Sequence, residues 1–430
     1  MKKIGIVSLG CSKNTVDTEQ MLGYLSDAGY TLVNDPAEAQ VLIVNTCGFI
    51  ASAKEESIDA ILEMAQYKKT GTCEVLVATG CLCERYREEL IKELPEVDLF
   101  LGVREYETLV EKLNALTGVS ARCCTGSKRM LTTPRYRAFL RIADGCDNRC
   151  TYCAIPLIRG ARKSVPMEEL IAETERLIAD GVRELSVIAQ DTSGYGVDLY
   201  GRPMLKELLE RLDALDGIRW IRVLYTYPNT VTPELIDAIY TSRHILHYLD
   251  MPIQHIEDGM LRRMNRHGSR EDIERVIAYV RRNAPDFILR STVIVGFPGE
   301  TGREFEELKR FLSAHPMDRL GAFGYSAEDG TPAANYVGQV DENVKRSRLD
   351  TLMRQQQEIS LNLNRRRVGS TVEVLVEGKD GSLMMGRSYA EAPDVDGKVF
   401  FVPSAEHEPG EFVQVRLTRA TPYDMFGEEV

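Results

Sequence analysis

The 430-residue sequence lacks an apolar run that could cross a membrane. A membrane-spanning helix needs roughly 18 consecutive apolar residues, and no stretch of this chain approaches that length. Residues 1–9 superficially resemble a signal peptide, but their apolar part is too short. Cys11-Ser12-Lys13-Asn14 also stands where such a peptide would have small residues for cleavage. We therefore predict a cytoplasmic protein with no membrane partner, in which residues 4–9 form a buried first strand.

The sequence also lacks an excess of positive charge. It has 53 Lys and Arg against 65 Asp and Glu, which gives a formal net charge of −12. Proteins that hold nucleic acid mainly through its phosphates depend on Lys and Arg, so the composition argues against that class. A local basic groove remains compatible with this charge. A basic protein partner fits it at least as well, because the potentials are complementary.

The pattern of hydrophobic and polar residues changes twice along the chain and predicts three structural units. In residues 1–117 apolar strands alternate with amphipathic helices, which indicates an open parallel α/β sheet. A polar linker at residues 118–135 leads into residues 136–366, where six further strand-and-helix units predict a partial (β/α)6 barrel. Residues 367–430 show short alternating strands with turn signals between them. This pattern predicts a small antiparallel β-barrel.

Cysteine is plentiful, with ten residues in the chain. In a cytosolic enzyme of this length, cysteines are more often metal ligands or catalytic groups than disulfides. Cys146, Cys150 and Cys153 form a C-x3-C-x2-C run after the first strand of the predicted barrel. A short loop can wrap three thiolates around a four-iron cube and leave one iron open to a substrate or cofactor. The alternatives are buried structural thiols or a zinc site, although no fourth Cys or His follows closely.

Three other cysteines, the first group in chain order, are spread over the first unit, so that Cys146, Cys150 and Cys153 form the second group. Cys11, Cys47 and Cys81 each follow an apolar strand. The carboxyl ends of parallel strands meet at one crevice, so these thiols can share a site if the strands are neighbours. Ordinary buried thiols are the alternative. Cys83 could compete as a ligand, but Cys81 is favoured because it directly follows the glycine at the strand end. The cysteines without a place in either group are Cys73, Cys123 and Cys124.

The C-x3-C-x2-C run, with Tyr152 before its last cysteine, resembles the radical S-adenosylmethionine superfamily. The resemblance implies that the cluster on these three catalytic cysteines binds the methionyl group of S-adenosylmethionine and cleaves the cofactor to a 5′-deoxyadenosyl radical. It also implies contacts with the cofactor at later strand ends. The residues predicted to make cofactor contacts are Tyr152, Gln190, Asp191, Arg290 and Gly296.

Each of these cofactor contacts has a plainer alternative. Tyr152 could simply pack in the interior, and Gln190 and Asp191 could cap the following turn. Arg290 lies in an apolar strand and needs a partner, which is either the cofactor carboxylate or an internal carboxylate. Gly296 to Glu300 is, taken alone, more often a strand-to-helix turn.

The sequences around the first group resemble the amino-terminal domain of the methylthiotransferases. The matching stretches are Gly10-Cys11, Thr46-Cys47-Gly48 and Gly80-Cys81-Leu82, and the resemblance extends to a terminal TRAM-type, OB-like barrel. It implies a second 4Fe-4S cluster on Cys11, Cys47 and Cys81 that delivers sulfur to a carbon radical. A second S-adenosylmethionine would supply the methyl group. The radical step needs no general base, which agrees with the lack of a convincing His/Asp pair.

Several stretches resemble the branch of methylthiotransferases that modifies a protein. They are residues 8–14, 45–50, 250–256 and 386–393. The resemblance implies as substrate the β-carbon of an aspartate in small-subunit ribosomal protein twelve, and as reductant a low-potential donor such as flavodoxin or ferredoxin. From residue 368 onward there are twelve Asp and Glu against five Lys and Arg. This acidic end suits a basic ribosomal protein, although an acidic surface kept for solubility explains it equally well.

Two other functions remain as alternatives. One is methylthiolation of a transfer-RNA adenosine, in which case nucleic acid would be a required partner. The other is a non-catalytic iron–sulfur carrier or sensor, which would need neither the motif at residues 296–300 nor the terminal barrel.

Overall fold

The first unit is a five-stranded parallel sheet. The computed structural model describes residues 2–120 and 128–430. The elements of this unit are β1 (Lys3–Ser8), α1 (Ser12–Asp27), β2 (Thr31–Leu32), β3 (Val41–Thr46), α2 (Ala51–Thr70), β4 (Val75–Gly80), α3 (Cys81–Glu93), β5 (Leu99–Leu101) and α4 (Leu109–Thr117). The strand order is β2-β1-β3-β4-β5, and every pair is parallel. Every residue of β3 and β4 is buried, as is typical of parallel strands covered by helices on both faces.

The cysteine pattern predicts a shared site only if the strands before Cys11, Cys47 and Cys81 are neighbours, and the observed strand order meets this condition. Strands β1, β3 and β4 are direct neighbours, with Ile6 opposite Ile43 and Ile43 opposite Val77. Their carboxyl ends therefore lie side by side at one edge of the sheet. The two-residue strand β2 was not predicted, because so short a run carries no periodic signal.

The second unit contains six parallel strands of three to eight residues each. Its elements are β6 (Arg137–Arg141), β7 (Ala143–Asp144), α5 (Ile155–Ile158), β8 (Lys163–Ser164), α6 (Met167–Ala179), β9 (Glu184–Ile188), α7 (Val197–Tyr200), α8 (Leu205–Asp213), β10 (Trp220–Val223), α9 (Pro233–Thr241), β11 (Tyr248–Asp250), α10 (Asp258–Arg263), α11 (Arg270–Asn283), β12 (Ile288–Val295), α12 (Gly302–Ala314), β13 (Arg319–Gly324) and α13 (Glu342–Arg367). The strands form two parallel sheets, β6-β9-β10 and β11-β12-β13. A parallel bridge between Ile221 and Ile245 connects them. The predicted partial (β/α)6 barrel is confirmed.

The third unit is a closed five-stranded barrel. Its strands are β14 (Thr371–Asp380), β15 (Leu383–Arg387), β16 (Val399–Val402), β17 (Phe412–Ala420) and β18 (Met425–Glu429). The ring runs β14-β15-β16-β18-β17. A small barrel is confirmed, but the pair β16 and β18 is parallel. A closed ring with an odd number of strands cannot alternate in direction throughout, so one parallel pair is unavoidable.

Buried ion pairs join this barrel to the second unit. Arg387 of β15 donates from Nη1 to Oε1 of Glu184 at 2.9 Å, and Arg222 lies 3.4 Å from the same oxygen. Burial alone would raise the pKa of Glu184, but the two guanidinium groups hold it at about 2. Glu391 likewise accepts from Arg319 at 3.1 Å and from Arg367 at 2.8 Å.

The helices show no membrane-spanning segment. Within residues 2–120 and 128–430, none is both long and apolar enough to cross a bilayer.

Candidate functional site

Three thiols meet where β1, β3 and β4 end. Cys11 lies at the amino end of α1, Cys47 directly follows β3, and Cys81 is the first residue of α3. All three line one cavity. Helix amino ends favour the thiolate that metal binding requires.

Two glycines permit this convergence. Gly80 has φ +101°, and a Cβ there would lie 2.4 Å from Oδ1 of Asn45. A Cβ on Gly48 would lie 2.7 Å from the backbone nitrogen of Leu82. The loop after β3 can therefore rest against the first turn of α3 only because these positions carry no side chain.

The structure shows which of the two thiols, Cys81 or Cys83, faces the cavity. Cys81 lines the cavity, where its Sγ donates to Oδ1 of Asn14 at 3.5 Å. Cys83 is fully buried in the core, with its Sγ 3.8 Å from Oγ1 of Thr46. Burial raises the pKa of each thiol to about 12. Only Cys81 is available to a group in the cavity.

The other unassigned cysteines do not join this group. Cys73 is buried in the same core, and its Sγ donates to the carbonyl of Val75 at 3.5 Å. Cys123 and Cys124, predicted to be thiols without a function, lie outside the described residues.

The C-x3-C-x2-C run forms a loop after β7. The loop is fixed at both ends, because the amide of Cys146 donates to the carbonyl of Gly160 at 3.1 Å and that of Thr151 donates to Met264 at 2.9 Å. Burial raises the pKa of Cys146 to about 11 and that of Cys153 to about 12. Thiols in such surroundings become good ligands once a metal displaces their protons.

Both groups of cysteines face the same cavity of about 480 Å³. Three thiols on each side are the donor set that a 4Fe-4S cluster takes, with one iron left open. Within the described residues, no three His, Cys, Asp or Glu side chains are arranged to hold a single metal ion. The fit to clusters therefore rests on the thiol donors and on the cavity that they share.

Arg159 lies between the two units beside the first group. Its Nη2 donates to Oδ2 of Asp17 at 2.7 Å and to Oδ1 of Asn14 at 3.0 Å, and it lies 3.8 Å from Sγ of Cys81. Its Nη1 donates to Asp144 at 3.0 Å. A buried guanidinium beside Cys81 favours the thiolate form of that residue. No motif pointed to Arg159, because its role depends on the contact between two units.

Arg266 and Tyr227 lie beside Cys150. The guanidinium carbon of Arg266 is 4.0 Å from the centre of the Tyr227 ring, and its Nη1 is 4.0 Å from Sγ of Cys150. The hydroxyl of Tyr227 is 3.7 Å from the same sulfur. Hydrogen-bond donors near a cluster sulfur raise the reduction potential of the cluster, so Arg266 and Tyr227 would adjust the potential of a cluster held by Cys150.

Two of the predicted cofactor residues line the cavity. Tyr152 is one, and its hydroxyl accepts from Nη1 of Arg266 at 3.4 Å. Gln190 is the other, and its Nε2 donates to Oδ1 of Asp144 at 2.9 Å. The cavity wall therefore offers these two side chains to a cofactor, and their contact with it stays a prediction.

The other three predicted cofactor residues lie outside the wall. Asp191 accepts from Arg162 at 2.8 Å and, through its other carboxylate oxygen, from the amide of Gly194 at 3.2 Å, as a turn-capping residue does. Arg290 has an internal partner, Asp250, at 2.9 Å. Gly296 has φ +72°, and a Cβ there would meet Cγ of Lys345 at 2.3 Å.

Besides Arg159, Arg266 and Tyr227, three further cavity residues were missed by the sequence reasoning. Lys13 and Gln254 lie in stretches that carried the family resemblance, and Tyr225 follows β10. Tyr225 and Gln254 have φ values of +64° and +68°. Such backbone is costly for residues other than glycine and concentrates at functional sites. Sequence alone carries no signal for that conformation.

Three family models match successive parts of the chain. Residues 3–102 match the family described as "Uncharacterized protein family UPF0004". Residues 140–312 match the Radical SAM superfamily, and residues 368–430 match the TRAM domain. These three segments fall in the sheet, the partial barrel and the closed barrel respectively.

Full-length relatives share one name, ribosomal protein uS12 methylthiotransferase RimO. The relative from Pelotomaculum thermopropionicum is 47% identical, with 100% of this chain and 99% of the relative covered. The relative from Clostridioides difficile has the same identity and coverage. The relative from Lachnoclostridium phytofermentans is 46% identical, with 99% of each chain covered.

Solved structures of radical enzymes share the fold at low identity. TsrM from Kitasatospora setae, a radical S-adenosylmethionine methyltransferase solved with cobalamin and a 4Fe-4S cluster, has a TM-score of 0.57 and 14% identity, with 89% of this chain and 80% of TsrM covered. OxsB, a cobalamin-dependent radical enzyme solved with S-adenosylmethionine, has a TM-score of 0.52 and 12% identity, with 84% and 62% covered. At these identities the likeness shows the fold alone.

Proposed function

Because the chain belongs to the RimO family of radical S-adenosylmethionine methylthiotransferases, we propose that it adds a methylthio group to an aspartate β-carbon of ribosomal protein uS12. The family rests on full-length relatives at 46–47% identity. The observation that carries the reaction is the single cavity faced by two groups of three cysteines. Insertion of sulfur at an unactivated carbon needs a radical source and a sulfur source at one place, and this cavity can hold both.

Each cysteine group would hold one of two clusters. Two 4Fe-4S clusters and S-adenosylmethionine are the cofactors of this family. Cys146, Cys150 and Cys153 would hold the cluster that binds S-adenosylmethionine at its open iron. Cys11, Cys47 and Cys81 would hold the other. When bound, these groups supply the carbon radical, the sulfur and the methyl group.

Apolar side chains form much of the wall of this cavity. Ile158 is fully buried in its wall, and Ile155 extends the apolar lining. Arg159 fixes the α1 side of the cavity against the loop that follows the second cysteine group, through Asp17 and Asp144. No side chain is needed as a general base, because hydrogen-atom abstraction leaves no proton to be removed.

The surface charge supports the proposed partners. The terminal barrel, with its surplus of acidic residues, suits a basic ribosomal protein. A low-potential donor such as flavodoxin or ferredoxin would reduce the cluster from the outer side of the cysteine loop. Arg149 in that loop and Arg262 at the end of α10 are exposed there, and Nδ2 of Asn265 donates to the carbonyl of Arg149 at 2.9 Å. The proposed reaction requires no nucleic acid, and we propose that the protein acts in the cytoplasm.

Mass spectrometry of uS12 tests the proposed function. The reconstituted enzyme is incubated with uS12, a reductant and S-adenosylmethionine. We expect a mass gain of one methylthio group on uS12, located by fragmentation at a single aspartate. A parallel incubation with transfer RNA serves as the comparison. Modified adenosine in the transfer RNA together with unmodified uS12 would overturn the proposal.

Cys150→Ala provides the matched control. The variant lacks one of the three thiols at the radical cluster, so it should form no deoxyadenosine and leave uS12 unmodified. Deoxyadenosine formation at the normal rate by this variant would contradict the assignment of the radical cluster.

A further inference from the structure

Lys13 places a positive charge inside the cavity without an anionic partner among the described residues. Only 7% of its surface is exposed, and it lines the cavity. Its Nζ lies 3.2 Å from the centre of the Tyr225 ring. In the described part of the chain it forms no ion pair or hydrogen bond. A cation on so buried a side chain is unfavourable without an anion, and a cation–π contact offsets only part of that cost.

Two buried or half-buried carboxylates on this side of the cavity, Asp17 and Asp144, are already paired with cations. Asp17 is paired with Arg141 and with Arg159 at 2.7 Å. Asp144 is paired with Arg159 at 3.0 Å and accepts from Gln190. The charge on Lys13 can therefore be met only by groups held in the cavity, which are the thiolates of the proposed clusters or a bound anion.

Tyr225 fixes the position of this ammonium group. Its backbone has φ +64° and is held there from both sides. Its amide donates to Oδ2 of Asp250 at 2.9 Å, and its carbonyl accepts from the amide of Thr192 at 3.0 Å. A strained residue held by its surroundings is typical of a functional site. Here the two hydrogen bonds hold the Tyr225 backbone so that the face of its ring lies against Lys13. This contact crosses the boundary between the first two units.

We propose that Lys13 binds the side-chain carboxylate of the substrate aspartate and thereby selects aspartate over its uncharged analogue. This inference rests on the proposed function. In aspartate the β-carbon is bonded directly to the carboxylate. A cation that holds the carboxylate therefore places the reacting carbon within the cavity. Lys13 is also two residues from Cys11, on the side of the cavity where the sulfur-carrying cluster would lie.

The test measures binding without turnover. The holoenzyme is titrated, in the absence of reductant, with uS12 and with uS12 in which the modified aspartate is replaced by asparagine. We expect the wild-type enzyme to bind the aspartate form at least about tenfold more tightly. Lys13→Met should weaken binding of the aspartate form by about tenfold or more and change binding of the asparagine form less than about twofold.

Two further variants make the result specific. Lys13→Arg keeps the charge and should keep a preference for the aspartate form. Lys92→Met removes an exposed lysine of α3 in the same unit and should leave both affinities unchanged. The iron content and visible spectrum of each variant are measured alongside, because a lysine that only supports the cluster would alter them.

The outcomes separate this inference from the proposed function. Equal weakening of both uS12 forms by Lys13→Met, or loss of iron from that variant, would overturn the role of Lys13. If the wild-type enzyme modifies uS12 while Lys13→Met retains the full preference for aspartate, only this inference fails. If the wild-type enzyme neither modifies uS12 nor distinguishes its two forms, the proposed function fails as well.

Discussion

At the scale of single residues, the position of a cysteine on its helix decides whether its thiol can bind a group in the cavity. Cys81 and Cys83 are two positions apart at the start of α3. Each helical residue advances the side chain by about 100°, so the two thiols point to nearly opposite faces. Cys81 reaches the cavity and Cys83 packs in the core.

Replacement of these two cysteines gives opposite results for iron binding. Cys81→Ala should lose about half of the iron after reconstitution, because one of the two clusters lacks a ligand. Cys83→Ala removes a thiol of the same chemistry two residues away and should retain all of the iron. Iron analysis and the visible spectrum of both reconstituted proteins check this. Equal iron loss in the two variants would contradict the assignment of Cys81.

At the scale of elements, the junction between β4 and α3 depends on a glycine. Gly80 combines a left-handed backbone, φ +101°, with a neighbour that leaves no room for a side chain. Gly181 has a similar φ of +103°, but nothing lies within 4 Å of the position of its Cβ. Only at Gly80 would a side chain also meet a close neighbour, and there the backbone, with φ +101° and ψ −158°, is one that residues other than glycine rarely adopt.

Alanine at these two glycines should have unequal effects. Gly181→Ala introduces backbone strain alone and should lower the free energy of unfolding by about 1 kcal/mol. Gly80→Ala adds a clash with Asn45 and should cost about 3 kcal/mol or more, with reduced iron at the first cysteine group. Urea unfolding and iron analysis measure both effects. A similar decrease in the free energy of unfolding in the two variants would mean that a small backbone shift relieves the clash at Gly80.

At the scale of the whole molecule, buried ion pairs attach the terminal barrel to the radical unit. Glu184 is fully buried and meets Arg222 of its own unit and Arg387 of the barrel. Removal of one partner from a buried pair leaves an uncompensated charge, which costs roughly 3–5 kcal/mol. Docking of the barrel is therefore sensitive to the charge state of Glu184.

The contribution of Glu184 to stability should depend on pH. Its pKa is about 2 in the folded protein against an ordinary value of 4.5. A lowered pKa stabilises the fold above pH 4.5, and this stabilisation is lost as the pH falls from 4.5 towards 2. Glu184→Gln should thus be less stable than the wild type by roughly 3–5 kcal/mol at pH 7. The difference should shrink between pH 4.5 and 3.

Denaturant unfolding at several pH values measures this dependence. Glu428→Gln is the control, because Glu428 pairs with Arg416 on the surface, where both side chains are more than half exposed. An exposed pair contributes about 1 kcal/mol or less, so that variant should change little at any pH. A constant difference between Glu184→Gln and the wild type from pH 7 to 3 would contradict the predicted charge dependence.

The sequence by itself determined the parts of this site that depend on local pattern. The apolar runs end at Cys47 and Cys81, so these thiols had to lie at the carboxyl ends of strands. The spacing of Cys146, Cys150 and Cys153 is short enough for one loop to bring them together. Local chain geometry is sufficient for such features, because they need no knowledge of distant residues.

Only the tertiary structure decided which of these parts meet. The order of β1, β3 and β4 sets the first cysteine group side by side, and the packing of two units places the second group across the same cavity. The same packing brings Arg159 to Asp17 and Lys13 to Tyr225, at separations of 142 and 212 positions in the chain. Such contacts are long-range, and their energy depends on burial and charge that exist only after the units have docked. For that reason the family could be recognised from motifs, whereas the cation proposed to select the substrate could be found only in the folded chain.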